Sequence, residues 1–392
     1  MNRLATLTAA GVTGLLCASL AAGPRPLQET FERLYRTAPT GGEAELTTER
    51  LLQHVTWLAS DENRGRKTAG GILEGRVADY LEAELSALGL APRGDKEGTT
   101  YRQPFYAYSW GGGDAASFRF PARATDRASF GVLANQYGVA LDRNGKPVTS
   151  DPLPAERLQE LLAPGNPPNT FNLVALLEGS DPELASELVV IGAHMDHIGT
   201  SRYGAGSDKI CNGADDNGSG TAALLSIGHA LAKDRADGHG PARSVLLCFF
   251  SGEEMGLLGS QFFAGNPTVD LAKVKAMLNL DMIARGQPGQ VSVCDDQSGG
   301  GQNLFHALHD ASETSLDQVD HNISQYLRYS DQYPFYRKGV PVIFFFEGFE
   351  ANGELNPDYH QPGDHVEKLD IPKFRDLTRF AYRHLLGAAN LR

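Results

Sequence analysis

From residue 171 onward, short apolar runs stop abruptly at acidic or imidazole side chains, and this recurrence constrains the fold more than any other feature of the chain. Residues 173–177, 188–193, 245–250, 276–280 and 340–346 are such runs, rich in Val, Leu, Ile and Phe. Runs this short, without polar alternation, read as strands buried on both faces. Helical stretches at 219–232, 302–311 and 372–386 separate several of them. Two earlier stretches, 51–58 and 72–88, also repeat apolar residues at helical spacing, and Gly89 is placed for a C-cap. Strand–helix alternation predicts an α/β fold with a mostly parallel or mixed central sheet flanked by helices on both faces. Between about 105 and 170 the pattern dissolves into Gly, Pro, Asp and short aromatic pieces. That interval reads as an irregular insertion or lid within one large domain spanning 45–392.

Composition narrows the partners. Lys and Arg number 35 against 48 Asp and Glu among 392 residues, a formal net charge of −13. That balance argues against a nucleic-acid partner, because its phosphates would be repelled. Four cysteines, none in a CxxC pair, are too few for a disulfide framework, and Cys248 inside an apolar run reads as a buried thiol. Residues 1–22 carry one basic residue, Arg3, then a small-residue apolar run ending in Ser19-Leu20-Ala21-Ala22. This is the pattern of a signal peptide, so an exported protein, periplasmic or secreted, is expected, with no membrane span in the mature chain. The run falls short of the ~20 residues of a spanning helix. Gly14-Leu15-Leu16 before Cys17 fits a lipoprotein signal poorly.

The polar residues that end the runs are the candidate site. Ala193 leads into His194-Met195-Asp196-His197, Phe250 into Ser251-Gly252-Glu253-Glu254, Leu280 into Asp281, and Phe346 into a loop reaching Tyr359-His360 and Asp364. Sites in open α/β sheets form beyond the carboxyl ends of strands, so these residues are expected at one edge. A further piece, Gly213-Ala214-Asp215-Asp216-Asn217-Gly218-Ser219-Gly220, opens a helix with adjacent acids. Each piece alone has a plainer explanation: a polar strand end, acids favouring a helix N-terminus, or a solvated turn. The spacing from Asp215 also mimics a calcium loop, but Ser226 stands where its twelfth-position Glu belongs. Together, His and carboxylate donors suit zinc, and two zinc ions can share one carboxylate. His194 and Asp196 at i and i+2 point the same way on a strand, so Asp196 can orient the imidazole. Of Glu253 and Glu254, one can ligate while the other acts as a base.

These five pieces, in this order, resemble the M28 family of zinc metallopeptidases, the co-catalytic aminopeptidases. The likeness runs from about residue 51 to the C-terminus apart from the insertion, and implies the zinc-peptidase, phosphorylase-hydrolase-like fold. It implies two zinc ions, with Asp216 bridging, His194 and Asp281 on one, and Glu254 and His360 on the other. It further implies Glu253 as general base, Asp196 behind His194, Asp364 orienting His360, and Tyr359 as an oxyanion donor. Ser330-Asp331 matches a family Ser-Asp-His element, except that Gln332 replaces the histidine. A cis Asp216–Asn217 peptide is also implied. The activity expected is hydrolysis of the N-terminal peptide bond of peptides with a free amino terminus.

Rival readings are a carboxypeptidase or glutaminyl cyclase of the same fold, and a non-catalytic binding module. His194-x-Asp196-His197 echoes the HxHxDH motif of metallo-β-lactamase-type hydrolases, but Gly192 stands at its first histidine. His197 is accordingly expected at the site wall or surface and not among the ligands. No GxSxG elbow and no HExxH helix is present.

Overall fold

The computed structural model describes residues 40–108, 139–141, 167–201, 207–295, 318–320, 324–349 and 355–391. The expected signal peptide, the helix at 302–311 and most of the 105–170 insertion lie outside the described residues. Ten strands are seen: β1 (Ala91–Pro92), β2 (Arg102–Tyr108), β3 (Val139–Leu141), β4 (Thr170–Leu177), β5 (Leu188–His194), β6 (Ser244–Phe250), β7 (Val274–Leu280), β8 (Gln290–Asp295), β9 (Gln318–Asp320) and β10 (Val342–Phe346). The helices are α1 (Thr48–Leu58), α2 (Ala78–Ala87), α3 (Gly220–Ala236), α4 (Leu258–Gly265), α5 (Gln332–Tyr336) and α6 (Ile371–Asn390). All strands join one sheet in the order β3-β2-β4-β6-β5-β7-β10-β8-β9, with β1 beside β4. The centre, β6-β5-β7-β10, is parallel, while β4, β2 and β8 join antiparallel. The sheet is therefore mixed, with helices on both faces, as the sequence pattern predicts.

The apolar runs at 173–177, 188–193 and 245–250 are buried along their whole length. Along β5, Val189, Ile191 and Ala193 face one side and pack with residues of α1, α3 and α6. Leu188 and Val190 face the other side and pack with Phe263 of α4 and Phe335 of α5. Two-sided burial explains why these strands lack polar alternation. It also explains α3, whose residues are buried around most of its circumference because it lies between the sheet and the outer helices.

Helix α3 connects β5 to β6, and α4 lies on the connection from β6 to β7. Since β6 and β7 flank β5 on opposite sides, two right-handed crossovers must run over opposite faces of the sheet. Strand order thus reverses at β5, and a crevice opens beyond its carboxyl end. His194 is the last residue of β5.

Two stretches of the interval read as an irregular insertion depart from the sequence reading, Val139–Leu141 in β3 and the end of β2. Residues 102–108, whose last four were assigned to the irregular insertion, form β2 and pair with β4 and β3. The segment was obscured by Pro104, which an outer strand tolerates, and by an apolar set of only Phe105 and Ala107 on the inward side. These two are buried against Leu258 and Phe262 of α4, with the Phe105 and Phe262 rings stacked at 5.1 Å. Cys211, Cys248 and Cys294 are buried, and among the described residues no helix is long and apolar enough to cross a membrane. Membership of β2 in the core carries an expectation for Phe105→Ala. It should lower the unfolding free energy by about 3–5 kcal/mol in denaturant titration at fixed zinc content, whereas a lid residue would change it by about 0.5 kcal/mol or less.

Candidate metal centre

Each candidate side chain is delivered by a strand end or by a loop locked to one. His194 ends β5, and Thr221 Oγ1 at the start of α3 donates to its carbonyl at 2.7 Å. Asp281 follows β7 directly. Asp216 lies in the loop between Gly213, at φ +61°, and α3, and the Asp216–Asn217 peptide is cis. A side chain at position 213 would strike Asp216 O and the His197 ring, so the loop can close only over glycine. Asn217 ties this loop to β7: its Nδ2 donates to Leu280 O at 2.9 Å, and its Oδ1 accepts from Gly220 N at 2.9 Å.

The donor atoms converge in two groups joined by Asp216. His194 Nε2 lies 3.2 Å from Asp281 Oδ1 and 3.4 Å from Asp216 Oδ1. His360 Nε2 lies 3.0 Å from Glu254 Oε2 and 3.1 Å from Asp216 Oδ2. The two oxygens of one carboxylate thus face two different imidazoles. Tetrahedral zinc with bonds near 2.0–2.1 Å separates neighbouring ligand atoms by roughly 3.3–3.4 Å, so these spacings suit it. Charge leads the same way: Asp196, Asp216, Glu253, Glu254 and Asp281 gather around the three imidazoles of His194, His197 and His360, with Asp216 Oδ2 buried between the last two. Bound cations would offset that concentration of acid. Zinc therefore fits the residues present.

Glu253 and Glu254 occupy different environments despite being neighbours. Glu253 Oε2 stands 4.0 Å from His194 Nε2, outside the close contacts. Burial raises its pKa well above the ordinary carboxylate value, and Asp281 and Glu254 add to the effect against the opposing pull of His194. Burial would raise Glu254 too, but His360 and His197 outweigh it and hold the carboxylate well below its ordinary value.

The supports differ in detail from the sequence reading. Asp196 meets the His194 ring chiefly through its main-chain oxygen, 3.2 Å from Nδ1, with its carboxylate at 3.7 Å. That carboxylate instead accepts from Thr68 Oγ1 at 2.8 Å and from Glu253 N at 3.2 Å, and so links two strand ends. Asp364 accepts the main-chain N–H groups of Asp215 and Asp216 at 3.0–3.1 Å, bracing the bridging loop. Ser330 Oγ donates to Asp281 Oδ2 at 2.7 Å and accepts from Asn279 Nδ2, which also reaches Gln332 Oε1 at 2.9 Å. Gln332 thus sits three hydrogen bonds behind the Asp281 carboxylate, through Asn279 and Ser330. The Tyr359 ring stacks on His360 at 4.0 Å between centroids. His197, at 1% exposure, is not on the surface, and its ring stands with Asp216 and Glu254 in a group of side chains that could hold a metal ion. Its Nδ1 donates to Glu254 Oε1 at 2.7 Å.

Arg66 is the support that the sequence pattern does not mark. Its guanidinium is fully buried and donates to Met195 O, Leu58 O, Asn212 O and Gly213 O at 2.7–3.1 Å. It therefore clamps the segment after β5 to the segment before Asp216. Local spacing has no signature for an arginine that binds only main-chain oxygens.

A sequence model described as Peptidase family M28 matches residues 172–384. A probable leucine aminopeptidase of Trichophyton verrucosum (strain HKI 0517) is 32% identical over 206 residues, covering 51% of this chain and 55% of that protein. Leupeptin-inactivating enzyme 1 of Streptomyces exfoliatus is 32% identical over 181 residues, covering 45% of this chain and 36% of that protein. The chain spans about half the length of the first of these and about a third of the second. Among solved structures, BSAP, a zinc aminopeptidase from Bacillus subtilis, superposes with TM-score 0.57 at 16% identity over 91% of this chain and 97% of its own. Porphyromonas gingivalis glutaminyl cyclase gives TM-score 0.54 at 17% identity over 86% and 97%. These two likenesses are of fold.

The His197–Glu254 contact can be read out through zinc affinity. Asparagine places its N–H near the position of Nδ1, and glutamine places it near Nε2. His197→Asn should therefore retain zinc close to wild type in a chelator competition, while His197→Ala and His197→Gln should lose ~10–100-fold in affinity.

Proposed function

Because the chain belongs to peptidase family M28, we propose that it is an exported two-zinc metalloaminopeptidase that hydrolyses the N-terminal peptide bond of peptides. One observation carries the reading: the Asp216 carboxylate turns Oδ1 toward His194 and Oδ2 toward His360, at 3.4 and 3.1 Å. A carboxylate so divided is suited to bridge two metal ions. His194 and Asp281 would complete one ligand set, and Glu254 and His360 the other. Bound zinc would supply a Lewis acid for the scissile carbonyl and lower the pKa of the attacking water.

The remaining work falls to this chain's own groups. Glu253 stands apart from the ligand contacts, and its raised pKa brings its proton affinity nearer the working range of a general base. It would take the proton of the attacking water and return it to the leaving amine. Its position depends on Asp196, which accepts its main-chain N–H. Burial and the surrounding acids push the Tyr359 hydroxyl well above its ordinary pKa. It would stay protonated at neutral pH, as a donor to the developing oxyanion must. The names of the aminopeptidase relatives support a substrate with a free N-terminus. The acidic chain argues against nucleic acid as a partner. We assign residues 1–22 to a signal peptide and 45–392 to one peptidase domain carrying the insertion.

Glu253→Ala should retain two zinc ions per chain by elemental analysis while turnover of a leucyl substrate falls at least ~10²-fold. Turnover near wild type would refute the base assignment. Free peptides should be cleaved from the amino end and their N-acetylated forms left intact. Internal cleavage of blocked peptides, or cyclisation of an N-terminal glutamine instead of cleavage, would reject the aminopeptidase reading but not the metal centre.

A further inference from the structure

A second set of metal-ligand side chains lies away from the strand ends, where α1, α2 and α3 meet. His54 on α1, Glu84 on α2 and His229 on α3 each place one donor atom within 4.8 Å of the other two. His229 lies about 14 Å along the helix axis from Gly220, where α3 leaves the Asp216 loop. The cluster is thus separate from the centre described above.

The chemistry of the donors points to a ligand. His54 is 1% exposed, and its Nε2 is buried without a hydrogen-bond partner, while Nδ1 is engaged by Tyr80 OH at 2.6 Å. A histidine whose outer nitrogen is fixed by an oxygen and whose inner nitrogen is bare has the disposition of a metal ligand. His229 Nε2 already sits 3.4 Å from Glu84 Oε2, the edge length of a tetrahedral zinc site. The two imidazole centroids are 5.8 Å apart. His229 and Glu84 are only partly buried, at 20% and 25% side-chain exposure, so an ion can enter from solvent.

We propose that His54, Glu84 and His229 bind a zinc ion that clamps α1 and α2 onto α3, with water completing the coordination. Both imidazoles are kept neutral, as ligation requires. Burial, His229 and Arg50 push His54 down to about 3, and burial and Arg50 lower His229.

Arg50 is the competitor. Its Nη1 donates to His229 Nδ1 at 2.5 Å, so without metal the proton sits on Nε2, facing Glu84. Zinc must displace that proton, and the ring then carries its hydrogen on Nδ1, against the guanidinium. Arg50 has somewhere to go, since Glu45 already holds its Nη2 at 2.6 Å. The clamp is therefore weaker than it would be without Arg50.

The test starts from protein saturated at its strand-end centre and titrated with zinc alone. Wild type should take up one more equivalent than His229→Gln or Glu84→Gln, and only wild type should gain in Tm as that equivalent binds. Arg50→Gln should bind the extra ion at least ~10-fold more tightly, the scale of effects from groups behind a ligand. Both ligand changes lie at partly exposed positions, and peptidase turnover at saturating zinc should be unchanged in each, which shows that they fold. Equal zinc uptake by wild type and both ligand variants would overturn the proposal, whether the extra equivalent is absent from all or present in all.

Discussion

The crowding of carboxylates at one edge of a buried sheet governs the rest of this molecule. Asp196, Asp216, Glu253, Glu254 and Asp281 repel one another in a region where water cannot screen them. Only groups held by rigid elements keep such positions. His194 ends β5 and Asp281 follows β7, strands buried along nearly their whole length. Asp216 is held by Asn217, Asp364 and the left-handed Gly213. The reversal of strand order at β5 supplies the crevice, and the parallel neighbours turn their carboxyl ends toward it.

Around the acids lies a layer whose work is to fix main chain to main chain. Thr68 donates to Asp196 and accepts from Gly252 N, joining the segments after β5 and β6. Arg66 joins the segment after β5 to the loop before Asp216 through carbonyl oxygens alone. Its positive charge still lies among the acids, and burial is what lowers its pKa, to about 10, against their pull. This layer also separates the two adjacent glutamates. His197 and His360 hold Glu254 ionised, whereas Glu253, in contact with neither, retains its affinity for a proton. Two identical side chains, one residue apart, differ because the strand end turns them toward different neighbours.

Much of this was legible along the chain. The apolar runs ending in His194, Glu253–Glu254 and Asp281 marked both the strands and the edge where they deliver polar groups, because two-sided burial removes alternation and leaves an abrupt end. The Gly-Ala-Asp-Asp-Asn-Gly-Ser-Gly piece marked the loop of Asp216. Strand β2 was not legible, since two inward residues and a proline give too short a pattern. The actual partners of Asp196 and Asp364 were not legible either: a short acid can meet a ring or a main-chain N–H, and nothing along the chain ranks them. His197 was read as wall or surface, and its hydrogen bond to Glu254 depends on a loop remote in sequence.

What the sequence by itself determined is therefore the α/β class, the family resemblance and a set of candidate residues for the site, because periodicity and residue chemistry are local properties. The tertiary structure alone decided which oxygen faces which imidazole, which glutamate stays ionised, and that Arg66 and His197 belong to the framework of the site. It also brought His54, Glu84 and His229 together from three helices. Those outcomes depend on distances between segments far apart in the chain, and packing sets such distances.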